Sequence, residues 1–354
     1  MTSSLKSSPK LRLDFYESGV GETILITFPS GGIGIVDAHP SNYTDRPKIL
    51  DLVEGREIHF VCLSHPHKDH GKDLVSLLEQ KRGIKSFWHT IYDIPAFIFC
   101  IQETVNFPSE MREYATKLNQ DWAEFFIDII GAVAEQDIPR HQLRSNLVPD
   151  EIDGVEIYCL SPDEELQNSF SKTYTDKLKN LKIKLPDPNL ISAILALKFG
   201  DSVVLLGADA LKENWESALN IYRKRNLPKA RILKVPHHGA RNAIDLGRSA
   251  KTYLDVCSAE PKAKAVIFAG DSKHPDDEVF TKIASRMETI CLSNGRKPNP
   301  GNSNPLRLQM PGATFIYPAP VCNPMVSFEL DPNGNVSVQK GSACHAACIP
   351  AKVG

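Results

Sequence analysis

The sequence contains 354 residues, of which 42% are hydrophobic and 24% are charged, and its formal net charge is −2. This length is enough for one elaborated α/β domain or for two smaller domains. The nearly neutral charge excludes an overall basic field that attracts nucleic acid, so an anionic ligand would need local charges.

The first part of the chain predicts β-strands that lead into a group of histidines. Strands are predicted in LRLDFYESGVGETILITF, residues 11–28, and in GIGIVDAH, because residues 23–28 and 33–37 are apolar, β-branched and bounded by Gly and Pro. A further strand, IHFVCLS, ends at Ser64. Leucines at helical spacing predict a helix from residue 72, and a short strand is expected near residues 85–88.

Residues 107–135 have a different pattern, with large apolar residues repeated at helical spacing. This pattern predicts a long amphipathic helix or a pair of helices, within an insertion that covers about residues 90–150. The simplest interpretation is that the apolar stripe faces the core. The alternative is a lid, or a surface that binds a protein partner.

The second half of the chain alternates strand and helix patterns. VEIYCLSP, ISAILALKF, SVVLLGAD, ARILKV and AKAVIFA predict strands, and helices are expected at 212–226 and after SKHP. A hairpin is expected around Asn333–Gly334. The alternation predicts a layered α/β fold. We divide the chain into a hydrolase domain, 11–320, and a C-terminal hairpin and tail, 321–354.

The N-terminal segment, MTSSLKSSPK, lacks the apolar stretch of a signal peptide, and no apolar run is long enough to span a membrane. Cysteines such as Cys62 and Cys159 lie inside apolar strand patterns, which is typical of reduced core thiols. We therefore expect a cytoplasmic protein with no membrane partner.

Residues 65–70, HPHKDH, place three histidines and an aspartate directly after a predicted strand. Imidazole and carboxylate are the usual nitrogen and oxygen ligands of Zn²⁺ and similar ions. His65 and His67 would point the same way in an extended segment. Asp69 and His70 come where the chain turns into the helix. A solvated polar loop is the alternative, but the ligand types and their spacing favour a metal site.

HPHKDH resembles the HxHxDH motif of the metallo-β-lactamase-fold hydrolases, and other segments follow in that family's order. GIVDAH, VVLLGADA and LKVPHHGA are similar to its early strand, its strand with a metal-bridging aspartate and its last ligand motif. With GVGET and SKHPDDEVF, the chain looks closest to the metallo-β-lactamase domain of competence (DNA-uptake channel) proteins and their soluble standalone relatives. The resemblance covers most of residues 11–290. It implies a four-layer αββα metallo-β-lactamase fold with a helical insertion.

The resemblance also implies a site for two divalent metal ions, with Zn²⁺ expected and Mn²⁺ as the alternative. It assigns Asp37 to orienting the histidine loop. His237 is the alternative to His238, either as a metal ligand or as a substrate contact. The implied ligands of one metal are His65, His67 and the shared Asp209, and those of the other are Asp69, His70, Asp209 and His238.

One departure from the family pattern concerns a further metal-binding histidine before the bridging aspartate. Here that stretch, DPNLISAILALKF, has Asn189 and Ser192 and no histidine, and the competence-type domains resemble it in this respect. Water or substrate would then complete the coordination of the first metal ion. His89 or His141 could supply the missing ligand, but neither lies in a recognisable ligand context.

A site with two metals predicts hydrolysis. Two metal ions lower the pKa of a bridging water, and the resulting hydroxide can attack phosphorus or a carbonyl carbon. Asp69 would also help to orient this nucleophile. Lys273 and His274, in GDSKHP, are candidates to bind phosphate and to act as general acid. The alternative for this segment is a helix start with Pro275 as the first helical residue.

Three functions fit these motifs. The expected one is a phosphodiesterase or nuclease, and Lys234 and Arg241 beside PHHG would contact its anionic substrate unless they are surface charges. The chain has no basic stripe with interleaved aromatics, so a small phosphodiester or a short single strand also fits. A carboxylic ester, lactone or thioester hydrolase is the first alternative, because the fold hosts all of these. A non-enzymatic interaction module of a multi-protein system is the second, and the intact ligand set argues against it.

Overall fold

The structure, a computed structural model, describes residues 8–18, 21–39, 48–92, 94, 125–179, 187–247, 250–269, 274–293, 313–316 and 325–340. The strands are β1 (Leu11–Ser18), β2 (Gly21–Thr27), β3 (Ile33–Val36), β4 (Ile58–Cys62), β5 (Phe87–His89), β6 (Arg140–Gln142), β7 (Asp150–Ile152), β8 (Val155–Ser161), β9 (Ile194–Phe199), β10 (Ser202–Leu206), β11 (Ala230–Lys234), β12 (Lys264–Ala269), β13 (Glu288–Ser293), β14 (Ala313–Ile316), β15 (Met325–Leu330) and β16 (Val336–Lys340). The helices are α1 (Ile49–Leu52), α2 (Lys68–Gln80), α3 (125–135), α4 (Glu164–Lys179), α5 (Lys212–Lys224) and α6 (Asp277–Arg286).

These strands form two eight-stranded sheets. The first sheet has the order β16-β15-β1-β2-β3-β4-β5-β6, and the second has the order β14-β13-β12-β11-β10-β9-β8-β7. In the first sheet β3 to β6 run parallel, and in the second β10 to β14 do. The carboxyl ends of neighbouring parallel strands lie at one edge of a sheet, which is where α/β proteins bind ligands.

Apolar side chains form three layers, because strand residues alternate between the two faces of a sheet. In β10, Val204 and Leu206 face the first sheet, whereas Val203 and Leu205 face α5 and α6. The outer face of the first sheet packs in the same way against α2 and α3. Each fully buried Leu or Phe contributes roughly 1.5–3 kcal/mol. The predicted four-layer αββα fold is therefore confirmed.

Two helix boundaries differ from the sequence prediction. Helix α2 begins at Lys68 rather than at residue 72, so Asp69 lies in its first turn. The leucine periodicity could not reveal this turn, because residues 68–71 include no leucine. Helix α6 begins at Asp277, and Asp276 rather than a proline start caps it by accepting N–H bonds from Glu278 and Val279.

The predicted helical insertion is described only in part. Residues 125–135 are helical, and Phe126 and Ile129 are buried in the core, as the simpler interpretation of the apolar stripe predicted. Residues 95–124 lie outside the described part of the chain. In the C-terminal hairpin β15 pairs with β1, and the proposed division at residue 321 stays a prediction. Within the described ranges, no helix combines the length and the apolar character needed to cross a membrane.

Candidate metal centre

Loops after β3, β4, β10 and β11 bring the candidate residues together. Asp37 directly follows β3, and His70 lies in the first turn of α2, after the loop that leaves β4. Asp209 and His238 come from the loops after β10 and β11 of the second sheet. The site therefore spans the edges of both sheets.

Asp37 supports the histidine motif from behind. Its Oδ1 accepts a 2.8 Å hydrogen bond from the Ser64 N–H, and its Oδ2 accepts a 2.6 Å bond from the Ser64 hydroxyl. The same Oδ2 lies 2.7 Å from Nδ1 of His70. Because a carboxylate accepts, Nδ1 of the imidazole carries a proton, and Nε2 is the nitrogen through which His70 could bind a ligand.

His238 is oriented in an equivalent way by a backbone carbonyl. Its Nδ1 lies 3.0 Å from the carbonyl oxygen of Phe268, at the end of β12. A carbonyl oxygen can only accept, so the proton lies on Nδ1 of His238 and the lone pair lies on Nε2. This arrangement is typical of histidines that bind a metal through Nε2.

The two oriented imidazoles converge on Asp209. Its Oδ2 lies 3.5 Å from Nε2 of His70 and 3.7 Å from Nε2 of His238. These three residues and Glu22 are buried, and one donor atom from each lies within 4.8 Å of the others. His70 Nε2 has no hydrogen-bond partner among the described residues. A buried set of two imidazoles and two carboxylates, with no close hydrogen bond at Nε2 of His70, fits a divalent metal ion.

Glu22 and Lys234 form a buried ion pair beneath this set, and neither role was predicted from the sequence. Lys234 is fully buried, so it is not free to contact substrate or to be a surface charge. Its ammonium group pairs with Oε1 of Glu22 and lies 3.7 Å from Oδ1 of Asp209. Glu22 was overlooked, although the acid in the turn GVGET was visible in the sequence.

A single glycine allows β2 to reach this site. A Cβ on Gly21 would lie 2.2 Å from the backbone oxygen of Asp69 and 2.4 Å from Cβ of His39. Only glycine fits such an approach without moving the backbone. Gly21 thus lets the neighbouring Glu22 lie beside the first turn of α2.

His65 and His67 form the other half of the site. Nε2 of His65 lies 3.0 Å from Nδ1 of His67, and the ring centroids of His65 and His70 are 4.2 Å apart. The Ser64 hydroxyl, 3.1 Å from Nδ1 of His65, is the contact behind this pair. His65 is buried, whereas His67 is half-buried and faces the outside of the site.

Other candidate residues lie around this centre. Asp69 is half-buried in the first turn of α2, and its carboxylate does not belong to the four-residue set. His237 Nε2 lies 3.9 Å from Oδ2 of Asp209, so His237 flanks the same carboxylate as His238. The ring of His274 is 6.0 Å from that of His237. Lys273 lies outside the described residues.

The missing histidine leaves polar residues beside the His65 half. The backbone N–H of Ala193 donates to the Ser64 carbonyl, which places the loop of Asn189 and Ser192 against the histidine motif. Asn189 Oδ1 and Ser192 Oγ are buried and have no hydrogen-bond partner among the described residues. These oxygens are suited to hold water or to contact an ion.

The two alternative histidines have other environments. His89 stacks on Phe87, with ring centroids 5.9 Å apart, and is buried at the end of β5. His141 forms a 3.3 Å ion-pair contact with Asp150 and packs on Trp88. Neither belongs to the buried donor set around Asp209.

At Asp209, His65 and His238 the electrostatic environment favours the protonation states that metal ligands need. Burial alone would raise the pKa of Asp209, but His238, His70 and Lys234 outweigh it and hold this pKa well below its usual range. Burial lowers the pKa of His65 well below its ordinary value and that of His238 to about 4. Asp209 is thus ionised and these two imidazoles are neutral at neutral pH.

His70 and Glu22 shift in the opposite direction. Burial opposes a charged imidazole, but Asp209 and Asp37 outweigh it and raise the pKa of His70 well above its ordinary value. Burial raises the pKa of Glu22 to about 7, although Lys234 and His70 oppose this shift. The negative potential around His70 therefore attracts a proton, and it would attract a metal cation for the same reason.

Left-handed backbone conformations concentrate at the site. Asp37, Ala208, His237 and His238 have φ angles of 56°, 43°, 45° and 54°. Such conformations cost of order 1–3 kcal/mol each for residues other than glycine, and they persist where surrounding contacts enforce them. Here they turn the chain sharply after β3, β10 and β11, so that the side chains converge.

Comparisons with known proteins give only distant similarities. No family model matches the chain, and no curated protein matches its sequence. A mutant of the CmlA β-hydroxylase is 12% identical, with a TM-score of 0.43, over 92% of this chain and 55% of that one. This chain thus spans about half the length of that protein. A diphosphatase of the PhnP family is 9% identical, with a TM-score of 0.39, over 87% of this chain and 95% of that one.

Proposed function

We propose that this protein is a metal-dependent hydrolase of the metallo-β-lactamase superfamily that cleaves a phosphodiester. The observation that carries the proposal is the convergence of His70 Nε2 and His238 Nε2 on Asp209, with both Nδ1 atoms already engaged. A merely structural polar cluster would satisfy these buried atoms by hydrogen bonds. Bound divalent metal ions would lower the pKa of a water molecule and stabilise the charge that develops in hydrolysis.

The residues of the chain divide the remaining tasks. Asp209, His70 and His238 would hold one ion, and His65, His67 and Asp209 the other. Asp37 and the Phe268 carbonyl keep the imidazoles in the tautomer that binds a metal. His274, next to His237, is the candidate general acid for the leaving alcohol.

A groove lies along the segments that follow Asp209 and His238, although none of the candidate metal ligands lines it. It has a volume of about 580 Å³ and lies between the first turns of α5 and α6 and the loop after PHHG. Its charged lining consists of Lys212, Glu213, Arg241, Asp245 and Glu278. Arg241 is paired with Glu278. Because three acidic groups outnumber two basic ones in this lining, the groove does not attract a long polyanionic strand, which leaves a small phosphodiester as the proposed substrate.

The test is elemental analysis of the purified protein, followed by hydrolysis of bis-p-nitrophenyl phosphate with Zn²⁺ or Mn²⁺ added. We expect bound metal and turnover that is lost in His67→Ala, while circular dichroism stays that of the wild type. Lys198→Met, in β9, is the control and should keep full turnover. Metal without turnover on this substrate, but with turnover on esters or lactones, would replace the phosphodiester. Failure to bind either metal would overturn the proposal.

A further inference from the structure

We propose that the buried ion pair between Lys234 and Glu22 positions the metal centre and sets its charge. This inference rests on the proposed function, because it concerns the ions that the site would hold. Both side chains are completely buried, and neither has a role in the chemistry described above. Burying two charges is costly unless they are paired and hydrogen-bonded, so a pair kept at this place calls for an explanation.

The ammonium group of Lys234 links three segments of the site: the loops after β10 and β11 and the start of β2. Its Nζ donates a 2.6 Å hydrogen bond to the carbonyl oxygen of Ala208, the left-handed residue directly before Asp209. The same carbonyl accepts a 2.9 Å hydrogen bond from the backbone N–H of His237. Lys234 also pairs with Glu22, the second residue of β2. It therefore fixes the loops after β10 and β11 against each other and against β2.

Glu22 acts on the histidines from behind rather than as a ligand. Its Oε1 lies 3.7 Å from Nδ1 of His238, and its Oε2 lies 4.0 Å from Nδ1 of His70. Both of these nitrogens already bond to other acceptors, the Phe268 carbonyl and Asp37. A carboxylate on this side favours the proton on Nδ1 and so leaves each Nε2 free to face the centre.

The pair also sets the charge beneath the centre. The pair of Glu22 and Lys234 is neutral in sum, so the buried carboxylates of Asp37 and Asp209 leave a negative charge that suits a divalent cation. Without the Glu22 charge, the ammonium of Lys234 would repel the ion. Without Lys234, the carboxylate would stay but the loops would lose their common donor. Removal of Glu22 should therefore weaken metal binding more than removal of Lys234.

The experiment measures metal affinity by competition with a chelator, with Zn²⁺ or Mn²⁺ as the probe, at a temperature where circular dichroism shows each protein folded. The variants are Glu22→Gln, which keeps the shape, Lys234→Met, and the double variant. Lys198→Met is the matched control, because Lys198 pairs with Glu156 between β8 and β9, away from the site.

We expect Glu22→Gln to weaken metal binding by about 10- to 100-fold, the range for groups that support metal ligands. Lys234→Met should weaken it less, and the double variant should bind more tightly than Glu22→Gln because the repelling charge is gone. Wild-type affinity in all three variants, with only a lower unfolding temperature, would overturn the inference. If a single variant does not fold, the double variant decides, and wild-type affinity there overturns it. A wild-type protein that binds no metal would instead overturn the proposed function.

Discussion

The two halves of the candidate metal centre differ in how firmly their histidines are held. In the half around His70 and His238, each imidazole has an acceptor on Nδ1 and an aspartate oxygen near Nε2. In the half around His65 and His67, the imidazoles contact each other, and the Ser64 hydroxyl supports only the first. The stretch where the resemblance would place another histidine has Asn189 and Ser192 and no histidine.

This difference teaches that ligand number alone does not describe the site. A ligand that is already oriented by its neighbours loses little conformational entropy when the metal binds. The supported half is therefore expected to bind its ion tightly. The other half is expected to bind weakly, and to depend on the metal supplied and on the substrate.

The largest effect should come from Asp209, which is common to both halves. Asp209→Ala is expected to remove both ions and all measurable turnover, because the Nε2 atoms of both His70 and His238 face its Oδ2. Metal content and hydrolysis of bis-p-nitrophenyl phosphate measure the outcome. Asp201→Ala, an exposed residue at the turn before β10, is the control. One tightly bound ion remaining in Asp209→Ala would break the comparison.

The next largest effect is the contrast between His67 and His70, which belong to different halves of the centre. His67→Ala should lose turnover but keep one ion per chain, because the supported half stays complete. His70→Ala should lose the tight ion, since its Nε2 faces Asp209 directly. Metal titration of both variants distinguishes the halves. Equal losses of metal would mean that the two ions bind as one unit.

A smaller effect is expected from the residue that orients His70. Asp37→Asn keeps the shape but replaces an acceptor by an amide, so His70 can lose its fixed tautomer. Metal affinity of the supported half should fall by about 10- to 100-fold. The metal Kd, measured against a chelator, reports the change. Unchanged affinity would show that Asp37 only shapes the loop through its bonds to Ser64.

The last prediction concerns folding stability rather than metal binding. It tests whether His89, a buried histidine outside the centre, makes stability depend on pH. Burial, with Arg140 and His141, lowers the pKa of His89 from 6.5 to about 4. The unfolded chain thus binds a proton more readily between these values, and the folded state loses stability as pH falls from 6.5 towards 4. This loss is roughly 3 kcal/mol.

His89→Gln should lose less stability over the same pH range. Urea unfolding at several pH values measures it, in the presence of a chelator so that the metal centre does not contribute. An identical pH dependence in wild type and variant would assign the acid sensitivity to other groups.

Residues that are close in sequence could be recognised from the sequence, and residues brought together by the fold could not. His65, His67 and His70 form one short motif, and their grouping follows from a strand that runs into a helix. The alternation of strand and helix patterns likewise predicted a layered fold, and in the structure Val203 and Val204 point to opposite faces of one sheet.

Lys234 illustrates what local patterns leave out. It lies at the end of an apolar strand, where a lysine usually extends into solvent, and its charge suggested a substrate contact. Its burial depends on a glutamate more than two hundred residues earlier, which only the packing of the two sheets brings near. The αL turns at Ala208 and His237 depend in the same way on a shared carbonyl and not on local sequence.

The candidate centre takes its groups from both sheets, and this has a mechanical consequence. His70 extends from the first sheet, whereas Asp209 and His238 extend from the second. An ion held between them would cross-link the two sheets at this edge. Its stabilising free energy would grow with the logarithm of free metal concentration. The supply of metal would then determine the stability of the folded protein as well as its hydrolytic activity.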